Sequence, residues 1–471
     1  MDRRRLSIGL MLDVAVIAFE ALAVATIAPR VARDLDGIDL YGWLFAAFML
    51  ASLVSVVIAG HASDRYGPAP PFAVGLVLFT AGLLLGGLAP TMPVLVLGRA
   101  VQGLGAGALL STAYVAIGRA FDETERPRQF ALLSTAWVIP GLVAPALAGL
   151  IAQHLGWRFV FLGLAGLPLI AGWLCFPAMR RLGPSAEASP GTLPIGAALR
   201  LAAGAGLIVG GLGADSLVVA IVLVAAGVAL SVPAFTRLTP PGTSRARAGL
   251  PAAIASRGLQ TFAFFGADAF LALALARVRG LSPVEVGIVL TPATLTWTAG
   301  SWLQARRAGL TSRRTLATVG LALVALGVAI GATVLVPEVP VWIAGAAWGV
   351  AGLGMGMSYS TVSLVVLSEA DDGGQGVATS ALQVSDVLGT ALGTGIGGAI
   401  VAVAASASWA RRDGLGLVFA LMVVVACLSV LAARRLPRDP APGRDSAPTS
   451  VPVDAPHAET ALRSEHDDNV S

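Results

Sequence analysis

The sequence predicts an all-α protein embedded in a lipid bilayer, and three observations carry that prediction. Hydrophobic residues make up 56% of the chain against 12% charged, and the mean hydropathy is +0.81, a balance that soluble domains of this size do not show. Apolar segments of about 20 residues, the length one helical crossing needs, recur along the chain with polar turns between them. Their Gly, Ala and occasional Pro content suits helices rather than the alternating pattern of a barrel, and a helix satisfies every backbone group within its own segment.

We label the segments α1 to α14 in chain order. The first six fall at residues 6–29, 41–61, 72–90, 93–118, 129–153 and 158–177, and two shorter ones, α7 and α8, at 195–213 and 216–235. The last six, α9 to α14, fall at 251–276, 283–304, 314–336, 340–367, 376–405 and 414–434. The expected organisation is an N-terminal six-helix bundle at 1–178, a linker with two additional transmembrane helices at 179–249, and a C-terminal six-helix bundle at 250–436. Residues 437–471, rich in Pro, Asp, Ser and Ala, bury too little apolar surface to fold and are expected to form a disordered cytoplasmic tail.

Basic residues concentrate in short cytoplasmic loops, which gives an independent check on this count. Arg65, Arg119, Arg126, Arg128, Arg180, Arg181, Arg237, Arg245, Arg247, Arg306, Arg307, Arg313, Arg314, Arg434, Arg435 and Arg438 all fall on one side. Fewer fall on the other: Arg30, Arg33, Arg158, Arg277, Arg279, Arg411 and Arg412. An even number of crossings puts both termini on the arginine-rich side, in the cytoplasm. Arg4 and Arg5 precede an apolar run that contains Asp13 and Glu20 and ends in no small-residue cleavage site, so this run reads as a retained first helix and not as a signal peptide.

Composition also excludes functions. The net charge of +4 comes from membrane-flanking arginines, with no lysine in the chain, so no nucleic-acid surface and no Walker motif are expected. Cys175 and Cys427 lie in apolar segments of opposite halves and suit packing, not a disulfide or a metal site. The four histidines, at 61, 154, 457 and 466, form no metal-spaced cluster, and no nucleophile has a base at hand. No enzyme and no cofactor is expected, and a membrane-embedded lipid enzyme is the remote alternative.

Charges inside apolar segments are the candidate functional groups, because each is costly there. Glu20 lies about fifteen residues into α1 among Phe19, Ala21 and Leu22, and a carboxylate at that depth can serve reversible protonation. Asp13 lies seven residues earlier on the same face, nearer the membrane surface, where it is expected to be solvated. Asp268 in α9 is the repeat counterpart of Glu20, and Asp386, near Gln383 in α13, has similar standing. Arg99, about two turns into α4, cannot shed its proton and must find carboxylate or carbonyl partners. Glycine strips at Gly141, Pro145 and Gly149 and at Gly389, Gly393 and Gly397 are expected to give close interhelical contact.

The stretch Gly60-His61-Ala62-Ser63-Asp64-Arg65-Tyr66-Gly67 reads as a tight charged turn between α2 and α3. Gly67 supplies a permissive φ, Gly60 allows a close helix approach, and Asp64 and Arg65 form a local charge pair. Gly300 and the run Arg306-Arg307-Ala308-Gly309 repeat the arrangement weakly after α10. Two bundles related by such a repeat leave a cavity at their interface, as a transporter requires.

Four motifs in order carry a family resemblance. The stretch 60–67 resembles the signature between the second and third helices of the major facilitator superfamily. Leu97-Gly98-Arg99-Ala100-Val101-Gln102-Gly103-Leu104-Gly105-Ala106 is similar to its fourth-helix motif, Pro140-Gly141-Leu142-Val143-Ala144-Pro145-Ala146-Leu147-Ala148-Gly149 to the fifth-helix motif of its exporters, and Gly156-Trp157-Arg158-Phe159-Val160-Phe161 to its entry into the sixth helix. Residues Phe19 to Pro29 resemble the first-helix motif, whose acid matches Glu20. The closest resemblance is to the fourteen-helix drug:proton antiporter branch. Two departures stand out: Pro68-Ala69-Pro70-Pro71 replaces the usual basic residues, and Ala144 replaces a glycine.

The resemblance implies a major facilitator fold, two six-helix bundles plus two extra central helices, in a bacterial inner membrane and working as a monomer. It implies export of a hydrophobic or amphipathic drug or lipid in exchange for protons, with a proton-coupled importer of a small metabolite as the alternative. The scarcity of polar groups expected in α1, α4, α9 and α12 argues against sugars and nucleotides. Proton coupling is implied for Arg99, as counter-charge to the acid on α1. Asp64 is expected to latch onto the start of α13 near Gly374-Gln375-Gly376, with Asp122 and Arg126 completing a network around Arg65.

Overall fold

The computed structural model describes residues 3–37, 40–185, 193–214, 216–371, 373–407 and 410–438; the expected tail lies outside them from residue 439. Among the described residues the chain is helical throughout, without a named strand. The helices are α1 (Arg3–Asp34), α2 (Trp43–Tyr66), α3 (Ala69–Gly87), α4 (Met92–Ala120), α5 (Arg126–Thr135 and Val138–His154) and α6 (Arg158–Leu164 and Leu167–Leu182). Next come α7 (Ile195–Leu212), α8 (Leu217–Leu238), α9 (Leu250–Arg277), α10 (Pro283–Arg307), α11 (Arg313–Gly331), α12 (Val341–Glu369), α13 (Gln375–Ser406) and α14 (Arg411–Ala433). Thirteen spans are long and apolar enough to cross a bilayer. The helix that falls short is α10, where Thr291, Thr294, Thr296, Thr298, Ser301 and Gln304 lower its hydropathy.

The stretch 60–67 is not the turn expected from sequence. Helix α2 runs on through Tyr66, because no breaker interrupts it before Gly67, and the change of direction is confined to Gly67 and Pro68. Gly67 adopts φ 83°, a left-handed conformation that favours glycine. Gly309 after α10 also has φ 83°, but there the extended residue Ala308 stands between it and the helix end, so the weak sequence repeat survives in the glycine and not in the shape of the turn.

Two apolar cores hold the fold. One joins α1 to α6 and extends into the ends of the later helices that lie toward the arginine-rich loops, through Ile254 of α9, Leu321 of α11, Val362 to Leu367 of α12 and Leu382 of α13. The other holds the opposite ends of α9 to α12 and α14, around Phe264, Leu271, Val328, Trp348 and Phe419. Early and late helices are therefore welded at the arginine-rich end. Helices α7 and α8 form a hairpin, with Gly204 against the carbonyl of Gly227, and seat Leu201 and Leu238 with Leu53, Val57 and Val384 at the seam between α2 and α13.

The two expected glycine strips behave differently. In α13 a methyl at Gly389 would strike the carbonyl of Gly258, and one at Gly393 the carbonyl of Phe262, so α13 and α9 touch backbone to backbone. In α5 Gly141 has only Thr294 nearby and Gly149 has nothing within 4 Å. That strip makes no backbone-to-backbone contact here, because the buried face of this part of α5 is the one carrying Pro140, Ala144, Ala148 and Ala152. The hydrogen bonds of α5 to α10 lie toward the arginine-rich end, through Ser134 with Ser301 and Thr135 with Trp302. Gly389→Ala is therefore expected to cost about 1–3 kcal/mol through overpacking. Gly149→Ala is expected to leave stability unchanged or slightly raised. Thermal unfolding of both variants in detergent checks the contrast.

Candidate functional site

Helix α4 carries Arg99 into an apolar interior where the residue is 2% exposed, and the surroundings are built to hold it. Its Nη1 donates to Glu20 Oε1 of α1 in a buried ion pair and to Gln102 Oε1 at 2.7 Å. Its Nε donates to the Leu44 carbonyl at 2.9 Å, and the guanidinium lies 4.4 Å from the centre of the Phe48 ring. Arg99 thus ties α1, α2 and α4 together. Glu20 is fully buried, and its second oxygen, Oε2, has no hydrogen-bond partner among the described residues. That oxygen can take a proton while Oε1 keeps its bond to Arg99.

Asp13 departs from the sequence expectation. It is 1% exposed, not solvated, with Oδ2 unpartnered, because α6 covers this face of α1 and brings Cys175 against neighbouring Gly9.

Asp268 of α9, the expected counterpart of Glu20, has the Trp348 indole of α12 as its partner, which donates to Oδ1 at 2.8 Å. Trp348 stacks on Phe264 at 5.3 Å, Phe264 meets Trp297 edge-on at 5.7 Å, and Trp297 lies 5.4 Å from Tyr359. The aromatic series ends at a second ion pair, between fully buried Arg257 and partly exposed Asp386. There the Tyr359 hydroxyl donates to Asp386 Oδ2 at 2.5 Å, and Arg257 Nη1 approaches the same oxygen at 3.5 Å. Arg257 is fully buried, 3.4 Å from the Tyr359 ring centre, and its Nη2 donates to the Tyr359 carbonyl at 2.5 Å and to Ser363 Oγ at 2.8 Å.

Sequence reasoning passed over Arg257, although its signal was the same as that of Arg99: an arginine inside an apolar helix. It also expected few polar groups in α1, α4, α9 and α12. Gln102, Ser111, Arg257, Gln260, Thr261, Ser358, Ser360, Thr361 and Ser363 are all buried there, most of them on α9 and α12. Small hydroxyls hide easily within an apolar average.

At the arginine-rich end, Asp64 is received by the start of α13. Its Oδ1 accepts from the Gly376 N–H and its Oδ2 from the Val377 N–H, both at 2.9 Å. These are unpaired first-turn donors carrying the positive end of the helix dipole. Gly60 makes the approach possible, since any side chain there would meet the Gly376 carbonyl and Ser380. The charged partner of Asp64 is Arg119 of α4, at 2.7 Å, and not Arg65. One residue further round the helix, Arg65 turns outward over the Tyr66 ring at 5.2 Å. Nor do Asp122 and Arg126 gather around Arg65. Asp122 pairs with Arg3 at 3.3 Å, while Arg126 donates to the Gly118 carbonyl at 2.7 Å and the Phe121 carbonyl at 3.0 Å. Across the seam Arg313 meets Glu123 at 3.3 Å.

Pro140 and Ala144 of the α5 motif are buried, while Gly141, Pro145 and Gly149 are not. Two of the arginines opposite the arginine-rich end have definite structural work. Arg158 donates to the Ala89 carbonyl at 3.0 Å, and Arg279 to those of Val336 at 2.8 Å and Val339 at 2.7 Å.

Long membrane helices welded at one end, with opposed charges held in their interiors, define a membrane transporter. Residues 10–394 match the model of the Major Facilitator Superfamily, and the chain belongs to that family, one of transporters and not of enzymes. It is 27% identical over 456 residues, 92% of this chain and 96% of the relative, to a probable multidrug-efflux transporter of Mycobacterium tuberculosis (strain ATCC 25618 / H37Rv). Over a shorter stretch of 154 residues, 33% of this chain and 30% of the relative, it is 32% identical to multidrug resistance protein 3 of Bacillus subtilis (strain 168). Its fold is similar to that of the human organic anion transporter MFSD10, with TM-score 0.69, 14% identity and coverage of 92% of this chain and 100% of that one. It is also similar to the proton:xylose symporter XylE, with TM-score 0.64, 15% identity and coverage of 91% and 94%.

Removing one partner of a buried ion pair strands the other, so Arg99→Ala is expected to destabilise by about 3–5 kcal/mol. The Glu20→Gln/Arg99→Gln double variant is expected to lose less than the sum of its single changes. A double-mutant cycle on thermal unfolding measures the difference.

Proposed function

We propose that this chain is a secondary active exporter of hydrophobic or amphipathic compounds, drugs or lipids, driven by proton exchange through alternating access. The observation that carries the reading is the buried Glu20–Arg99 pair with its one unpartnered carboxylate oxygen. A proton on Oε2 neutralises Glu20 and changes the charge balance deep in the first half of the chain. Substrate binding that favours deprotonated Glu20 is then coupled to proton release by reciprocal linkage. Similarity to the mycobacterial relative, a probable multidrug-efflux transporter, supports the substrate class and the direction.

In this reading α10 crosses with the thirteen apolar spans, which makes fourteen crossings with both termini in the cytoplasm of a bacterial cell. The arginine-rich end is then the cytoplasmic one, and the welded arrangement is the state closed toward the cytoplasm. Asp64, Gly60 and Arg119 hold it shut against α13. The uncovered α5 glycine strip lies on the side that is open in this state. Asp268, joined to Trp348, is a second carboxylate available for exchange.

In proteoliposomes with an imposed proton gradient, Glu20→Gln is expected to reduce transport to the level of empty vesicles. Undiminished transport by that variant would refute the mechanism. Asp64→Asn removes charge-assisted bonds worth about 1.5–3 kcal/mol and is expected to slow transport several-fold without unfolding the protein. Initial rates, compared with thermal unfolding of the same preparation, separate the two effects.

A further inference from the structure

We propose that Asp386 and Arg257 form a second proton site, one that senses whether the arginine-rich end is shut, and that Tyr114 from α4 is the residue that positions it. The inference rests on the proton-exchange reading above and adds a site in the second half of the chain.

The geometry separates the two ion pairs. Glu20 and Arg99 are enclosed by α1, α2 and α4, so nothing at the seam need move for them to stay sealed. Arg257 and Asp386 lie where α4 meets the later helices. Tyr114 of α4 is 5% exposed, packs edge-on to Phe130 at 5.1 Å, and belongs to the same apolar core as Leu364 and Leu367 of α12. One turn further along α4, Gly118 lies against Leu367 of α12 and Gln375 of α13. Next to Leu364 on α12, Ser363 accepts from Arg257 Nη2 at 2.8 Å, so the face of α4 that carries Tyr114 packs against the turn of α12 that holds Arg257. The charged and titratable groups facing Asp386 are thus Arg257 on α9, Tyr359 on α12 and Tyr114 on α4.

The sign follows from the partners. Asp386 Oδ2 is met by two donors, the Tyr359 hydroxyl and Arg257 Nη1, which suits a carboxylate. Arg257 is fully buried, whereas the Asp386 side chain keeps 16% of its surface exposed, so a proton can reach the acid while this end is shut. Protonation leaves the guanidinium buried without its counter-charge, and separating α4 from α12 at Tyr114 admits water to it. A proton on Asp386 therefore favours opening of the arginine-rich end. Hydration of Arg257 in the opened state then favours release of that proton to the same side. The proton is the only species moved, and no bond other than the O–H is made or broken.

The test reads separation at this end directly. Spin labels are placed on cysteines at Arg128 and Leu310, with Cys427 replaced by Ser and buried Cys175 left in place, and distances are recorded at about pH 5 and about pH 8. Wild type is expected to gain a longer-distance population as pH falls. Asp386→Asn is expected to favour the longer distance at both pH values, by at least about 10-fold in population ratio at the higher one. Tyr114→Phe keeps the ring and removes the hydroxyl; it is expected to retain the pH response with the ratio displaced several-fold toward the longer distance. Wild-type distances that ignore pH, or a wild-type response in Asp386→Asn, overturn the proposal. If Asp386→Asn does not fold, unchanged distances in Tyr114→Phe overturn it equally. The Glu20→Gln transport assay stands apart from these outcomes, so either reading can fail without the other.

Discussion

A guanidinium cannot shed its charge, and in hydrocarbon it cannot remain unpaired; the interior of this protein is organised around that constraint. Arg99 and Arg257 meet it in the same way. Each takes a carboxylate (Glu20, Asp386), a backbone carbonyl (Leu44, Tyr359), a neutral polar side chain (Gln102, Ser363) and an aromatic face (Phe48, Tyr359). Such a set spreads the charge over several partners, because a single ion pair rarely repays the desolvation of both its members. It also draws helices together, α1 and α2 onto α4 in one half and α12 and α13 onto α9 in the other. The repeat between halves is therefore loose in sequence but firm in chemistry.

Closure at the arginine-rich end is of a different kind. It depends on the absence of side chains at Gly60 and Gly376 and on one carboxylate, Asp64, shared between two backbone N–H groups and Arg119. Net contributions of about 1.5–3 kcal/mol for bonds to a charged group are enough to favour one state and small enough to be overcome by a ligand with differential affinity. Apolar packing crosses this seam as well, through Ile254, Leu321 and Leu364 against the early helices, so in the proposed cycle the polar contacts and this part of the core separate together.

Much of this was legible in the sequence. The crossings were readable because a span needs about 20 apolar residues whatever its partners, and all fourteen helices overlap their expected segments. Glu20, Arg99 and Asp64 stood out because a charge in an apolar run, or beside close-packing glycines, has few explanations. What stayed hidden depends on contacts between distant segments. Nothing local says that Asp64 will choose Arg119 over adjacent Arg65, since the choice is made by the face of α2 that α4 and α13 cover. Tyr114 reads as one more apolar-helix residue until α4 is laid against α12. Depth along α1 alone places Asp13 in solvent, and only the cover of α6 buries it.

The distribution of unpartnered polar groups bears on how the seam is balanced. Both amide atoms of Gln304 on α10 and of Gln383 on α13 are buried without a partner among the described residues, and Gln260 Oε1 and Arg257 Nε are in the same position. All lie toward the arginine-rich ends of their helices. A buried group of this kind costs about 1–3 kcal/mol, and water or a substrate group can supply its missing bond. In the proposed cycle, closing this end trades the bonds of Asp64 against the needs of these side chains, and opening it reverses the exchange. A proton on one carboxylate would then add its own change of charge to an exchange whose two sides oppose each other.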